Sequence, residues 1–187
     1  MISVSLKTSE HAAALSVSKA LKRSARYMES KTQERIRSGK FKANAPLTVA
    51  LKGSSKPLAD TGLLLSSING RVEGSTAIIS TNRLGARIQN EGGTITAKKR
   101  RLWIPAQRWV KKKVMALGTA GALRDLKRSG TVWFRKGCVM YRSKNGKTEV
   151  VWYLKKSVTI PQRRFMYIDD NDITVIKENF KGLLNDE

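Results

Sequence analysis

Asp60-Thr61-Gly62 is the stretch of this 187-residue chain that looks most like catalytic machinery. Aspartic proteases use this tripeptide, because two such carboxylates held together share one proton and activate water. That chemistry needs the aspartate on a tight loop after an apolar strand. Here Lys56-Pro57-Leu58-Ala59 precedes it, and proline is a poor member of a central strand. The chain has no second Asp-Thr-Gly, so a catalytic dyad would need a second copy. The simpler reading makes Asp60 a cap for the segment starting at Leu63, with Gly62 supplying an unusual backbone angle.

His11 is the only histidine and Cys138 the only cysteine, which removes His-based triads and paired metal ligands from a single chain. His11 reads as a surface residue near the start of a long helix, and Cys138 as a small buried hydrophobe in a strand. One cysteine allows no intrachain disulfide and fits intracellular assembly. Asp169, Asp170 and Asp172 would suit Mg²⁺, but they are expected to be the solvated start of the last helix, where the dipole favours acids. No Gly-x-x-x-x-Gly-Lys phosphate loop occurs. The expectation is a protein without cofactor or metal.

The basic residues say more. Lys98, Lys99, Arg100, Arg101, Arg108, Lys111, Lys112, Lys113, Arg124, Lys127 and Arg128 face one acid, Asp125, with Trp103 and Trp109 interleaved. Such a tract suits phosphate contact with some base stacking. The first eight of these cations are the candidates for touching DNA or an acidic protein partner. Over the whole chain 37 Lys and Arg oppose 14 Asp and Glu, so the net charge is 37 − 14 = +23. That imbalance attracts polyanions and repels like copies. No sequence-reading motif accompanies it. Nothing approaches ~20 uninterrupted apolar residues, so no membrane span is expected, and residues 1–10 carry no apolar core of a secretion signal.

The elements that would position these residues follow from periodicity. Ser9 to Ser38 reads as a long amphipathic helix capped by Ser9, with Glu10 in its first turn. Ala14, Val17, Leu21, Ala25, Met28, Thr32 and Ile36 form its apolar stripe; Lys19, Lys22, Arg26, Glu29, Arg35 and Arg37 lie opposite. Ile68–Val72 and Thr76–Thr81 read as a hairpin. Thr94–Ala97 and Arg101–Pro105 read as strands. Gln107–Arg128 is helix-prone but broken near Gly118 and Gly121. Thr131–Arg135, Cys138–Arg142 and Thr148–Leu154 read as strands, the last two joined by an Asn145-Gly146 turn. Asp172 to Leu184 closes the chain as a helix with Ile173, Ile176, Phe180 and Leu183 on one side. The predicted class is α+β: a long N-terminal helix packed on a mostly antiparallel sheet, then a C-terminal helix. It forms a single domain over 1–187 with a basic elaboration at about 98–155.

Three segments, in order, resemble the bacteriophage virion-morphogenesis and tail-completion family. Lys56-Pro57-Leu58-Ala59-Asp60-Thr61-Gly62-Leu63-Leu64 with Ser66-Ser67-Ile68 is similar to the family's Pro-Leu-x-Asp-Thr-Gly segment. Ala86-Arg87-Ile88-Gln89-Asn90-Glu91-Gly92-Gly93 stands where the family has Tyr-Ala-x-x-His-Gln-x-Gly-Gly. Here Gly85 replaces the tyrosine and Gln89-Asn90 the His-Gln pair. Val158-Thr159-Ile160-Pro161-Gln162-Arg163-Arg164-Phe165 looks like the Ile-Pro-x-Arg-x-Phe stretch before the last helix, with Arg164 where proline is common. The stretch from about 107 to 148 is an insertion relative to that pattern.

The resemblance implies a structural virion protein without enzymatic activity, assembled in the host cytoplasm into a hexameric oligomeric ring of the neck. Its partners would be the head-tail connector and the tail terminator or tail tube, with non-specific contact to genomic DNA and no membrane. It also implies scaffold roles: Asp60, Thr61 and Gly62 in a turn, Gly92 and Gly93 in a reversal, and Pro161, Arg163 and Phe165 anchoring the C-terminal helix. Two other readings stay open, a non-specific nucleic-acid-binding protein and a dimeric aspartic protease using Asp60.

Overall fold

The computed structural model describes residues 2–98 and 100–181, with side chains from residue 14 onward. The side chain of His11, all of Lys99, and Leu183 and Leu184 lie outside the described residues. Contacts divide the chain into two units, Met1–Phe41 with Thr61–Asn90 and Arg163–Glu187, and Lys42–Asp60 with Glu91–Gln162. The class is α+β, with a long N-terminal helix, a C-terminal helix and antiparallel strand pairs throughout.

The first unit is built on α1 (Ile2–Ser38), which begins seven residues before the expected cap, so Ser9 lies inside the helix. Thirty-seven residues at ~1.5 Å each make it about 55 Å long. It lies along a hairpin of β1 (Ile68–Glu73) and β2 (Thr76–Thr81) and also meets α6 (Asp170–Lys181). Ala20, Ala25, Met28, Thr32 and Ile36 are buried, whereas Ala14 and Val17, expected on the same stripe, are exposed. Among the described side chains of α1, full burial begins at Ala20. Helix and strand approach closely at Gly70, where a Cβ would stand 2.5 Å from the Ala25 carbonyl oxygen. Glu29, predicted to face solvent, instead accepts a hydrogen bond from the Gly70 N–H at 2.9 Å. Two short helices complete this unit, α3 (Leu63–Ser66) and nearly all of α4 (Ala86–Glu91).

The second unit holds α2 (Pro46–Lys52), a two-stranded pair of β3 (Gly93–Thr96) and β8 (Ser157–Ile160), and a four-stranded sheet. The sheet order is β4 (Leu102–Pro105), β7 (Thr148–Lys155), β6 (Cys138–Ser143), β5 (Gly130–Arg135). The strands either side of residues 98–100 therefore do not pair with each other. Helix α5 (Arg108–Ser129) packs on this sheet and breaks at Gly118, whose φ of 68° and ψ of 170° are not helical.

Lys113 pairs with Asp125 across that break. In a straight helix the two would lie ~18 Å apart along the axis, beyond the reach of both side chains, so the two arms of α5 fold back on each other. Val110, Ala122, Leu126, Val139, Tyr141, Val151 and Trp152 form the core between helix and sheet. Gly121, the other expected break, stays helical.

Candidate functional site

The second and third family-like segments meet in the first unit. The Gln89 carbonyl accepts the Arg163 N–H at 2.8 Å, and its side-chain oxygen accepts from the Arg163 guanidinium at 2.9 Å. Asn90 Oδ1 accepts both the Phe165 and Met166 N–H groups, at 3.0 and 2.9 Å. Phe165 is fully buried and Arg163 nearly so, and burial pushes the Arg163 guanidinium below the usual arginine range. Replacing Asn90 by Ala orphans two backbone donors. Urea unfolding should show a loss of about 1–3 kcal/mol, and Asn90→Asp, which keeps the accepting oxygen, should lose less.

Two neighbouring glycines lie in the second unit. Gly92 has φ of 74°, and a Cβ there would sit 2.8 Å from the Gln162 backbone nitrogen, so neither the angle nor the space admits a side chain. Gly93 opens β3 opposite Ile160, and Pro161 follows the end of β8.

The Asp-Thr-Gly segment does not form the expected cap. Gly62, with φ of 77°, holds the cap position of α3, and no side chain bonds to that helix end. Asp60 points to Lys111 instead, 3.4 Å away, with its side chain 46% exposed. Thr61 is exposed between them.

In the acidic run before the last helix Asp170 is exposed, as expected, but Asp172 is not. Asp172 is fully buried and bonds the Arg35 guanidinium at 2.5 Å and the Tyr27 hydroxyl at 3.0 Å. Asp169 bonds the same guanidinium at 2.8 Å, and Arg35 also donates to the Tyr167 carbonyl and lies 3.8 Å from that ring. Arg35, predicted on the outer face of α1, thus fills the place a cation would take. Among the described residues no group of His, Cys, Asp or Glu is placed to hold a metal ion. Burial alone would raise the Asp172 carboxyl. The Asp169 N–H, Arg35 and Tyr27 outweigh it and hold the carboxyl below the usual range.

In the same unit an apolar groove of about 220 Å³ lies along α1, lined by Met28, Ile79 and Met166 among others. Thr32 borders it, and its buried hydroxyl has no hydrogen-bond partner. Thr32→Val keeps the shape and removes the orphan. It should be neutral or stabilise by up to about 1 kcal/mol in thermal or urea unfolding.

The basic tract is only partly one site. Within the second unit Lys and Arg number 21 and Asp and Glu 4, so 21 − 4 = +17 of the +23 lies there. Lys111 and Lys113 are committed to Asp60 and Asp125, and Arg108 lies against Gly53. Strand β4, ~13 Å long, separates the group at residues 98–101 from the group at 108–113.

The first group gains neighbours that are distant in sequence. Leu102 pairs with Lys155, Ala97 bonds Lys156, and Leu154 bonds Gly137 in the β5–β6 turn. Lys98, Arg100 and Arg101 therefore share one end of the sheet with Arg135, Lys136, Lys155 and Lys156, all exposed. None of these seven is paired with a carboxylate among the described residues. Glu149 sits at the opposite end, beside Lys147.

No protein family, curated relative or solved structure matches this chain. No helix among the described residues is long and apolar enough to cross a membrane.

The aromatic residues interleaved in the basic tract have structural work. Trp103 makes edge contacts with Phe134 and Trp152 at 5.8 and 5.5 Å, and Trp109 leans on Tyr141 at 6.0 Å. Cys138, expected to be buried, is half-buried at the start of β6, its sulfur 3.9 Å from that of Met140. The seven-cation end was hidden in the sequence because 53 residues separate Leu102 from its register partner Lys155 and 17 separate Gly137 from Leu154; only strand register joins them.

Proposed function

We propose that this chain is a structural subunit of a tailed-phage neck, a tail-completion protein that assembles as an oligomeric ring between the head-tail connector and the tail terminator or tube. The observation that carries the reading is the joint between two family-like segments: Gln89 and Asn90 hold the backbone and side chain around Arg163 and Phe165. Residues of both family-like segments, Gln89 and Asn90 standing where the family has His-Gln, thus hold the fold together, which is what a docking subunit needs. The same positions offer no nucleophile–base pair for turnover.

The excess of +17 in one unit supports soluble, mutually repelling copies before assembly and contact with a polyanion after it. Deleting the gene and imaging the particles by negative stain tests the reading. Heads and tails that fail to join are expected; normal infectious particles would exclude it.

A second reading, a non-specific nucleic-acid-binding protein, is favoured by the seven unpaired cations at one sheet end. Tight binding by the isolated chain with a steep salt dependence would support it.

A further inference from the structure

The four-stranded sheet has two unlike faces. Toward α5 it presents Val139, Tyr141 and Trp152, all buried. Strand alternation puts Trp133, Met140, Arg142 and Tyr153 on the other face, where none is buried except in part; Tyr153 is 37% exposed. Trp133 pairs with Met140 in register, and Arg135 with Cys138 and so with Tyr153. The Arg142 guanidinium lies 5.9 Å from the Trp133 ring centroid, within cation–π range. This face runs to the sheet end that carries Arg101, Arg135 and Lys155.

We propose that this outward face binds single-stranded nucleic acid, with Trp133 and Tyr153 stacking on bases and the cations of the adjoining sheet end holding phosphates. The inference rests on the nucleic-acid-binding reading of the second unit and adds to it the strand state and the stacking residues. Trp133 and Tyr153 lie two strands and two residues apart, on the order of 12 Å. That spacing addresses two separate bases. A duplex keeps its base faces stacked internally and cannot offer them, whereas a single strand can. Charge argues against a sister copy as the occupant. Arg135 and Arg142 on this face, in a unit with an excess of +17, would meet the same cations across the contact.

The test is fluorescence anisotropy of the full chain with a labelled oligothymidylate of about 12 nucleotides, against a duplex of equal length, at ~0.15 M salt. The single strand should bind more tightly. Trp133→Leu and Tyr153→Leu should each weaken it about 5- to 150-fold, the range for one stacked base, while Trp133→Phe should retain most of the affinity. Equal or tighter binding of the duplex overturns the inference and leaves the nucleic-acid reading standing. So does wild-type affinity in both leucine variants, including a case where Trp133→Leu only changes the oligomeric state. Binding to neither probe overturns both. Should Trp133→Leu fail to fold, Tyr153→Leu and Trp133→Phe decide the matter.

Discussion

Asp172→Ala is expected to lower the unfolding free energy by about 3–5 kcal/mol, because it leaves Arg35 charged, largely buried and without its main partner. The Arg35 side chain is only 10% exposed and Asp172 not at all, so water cannot make good the loss. Removing both charges together, as Arg35→Met with Asp172→Leu, should cost less than the single change, since an apolar pair needs no compensation. Chemical unfolding of the three variants measures this directly. A single-variant loss under about 1 kcal/mol, typical of exposed ion pairs, would contradict the geometry.

The same contacts set a pH dependence at both extremes. The Asp172 carboxyl is held below its unfolded value, so its contribution is complete above ~3.9 and is lost as pH falls through the lower folded value. The Tyr27 hydroxyl is shifted upward, first by burial and then by its bond to Asp172. Its contribution is present below ~10 and is lost as pH rises through the higher folded value. Thermal unfolding across pH should therefore show an acid-side loss that Asp172→Asn removes.

Phe165→Ala is the second large effect, about 3–5 kcal/mol, because a fully buried aromatic ring leaves a cavity that its neighbours fill only in part. Phe165 is also the point where the backbone is clamped by Asn90. Loss of the ring and of the clamp should therefore couple. The Asn90→Ala, Phe165→Ala double variant should fall short of the sum of the singles. Additive losses would mean that clamp and ring act independently.

Much of the fold was legible because it is local. The 3.6-residue period marked α1, the Asn145-Gly146 turn marked the β6–β7 hairpin, and a glycine marked the break in α5. Of the clamp, Arg163 and Phe165 were legible as motif residues, whereas Gln89 and Asn90 stood out only as departures from the family pattern, and their grip on the distant segment shows only in the folded chain. The misreadings share one cause. Arg35, Glu29 and Asp172 look like solvent-facing charges in any local window, and only partners more than 40 residues away bring them inside. Trp103 and Trp109 look available between lysines until tertiary packing sets them, partly buried, against the core. Trp133 could have been found: Val132 and Phe134 alternate with it, as Val139 and Tyr141 do with Met140, so the inward set fixes which face it takes.

The most direct measurement of the structural role is an add-back assay. Purified chain is mixed with extracts in which heads and tails accumulate separately because the gene has been deleted, and infectious particles are counted. If the chain is a tail-completion subunit, the titre rises with added protein, and the Asn90→Ala, Phe165→Ala variant restores little. A deletion extract already full of joined, infectious particles, or one that the wild-type chain cannot rescue, would contradict it.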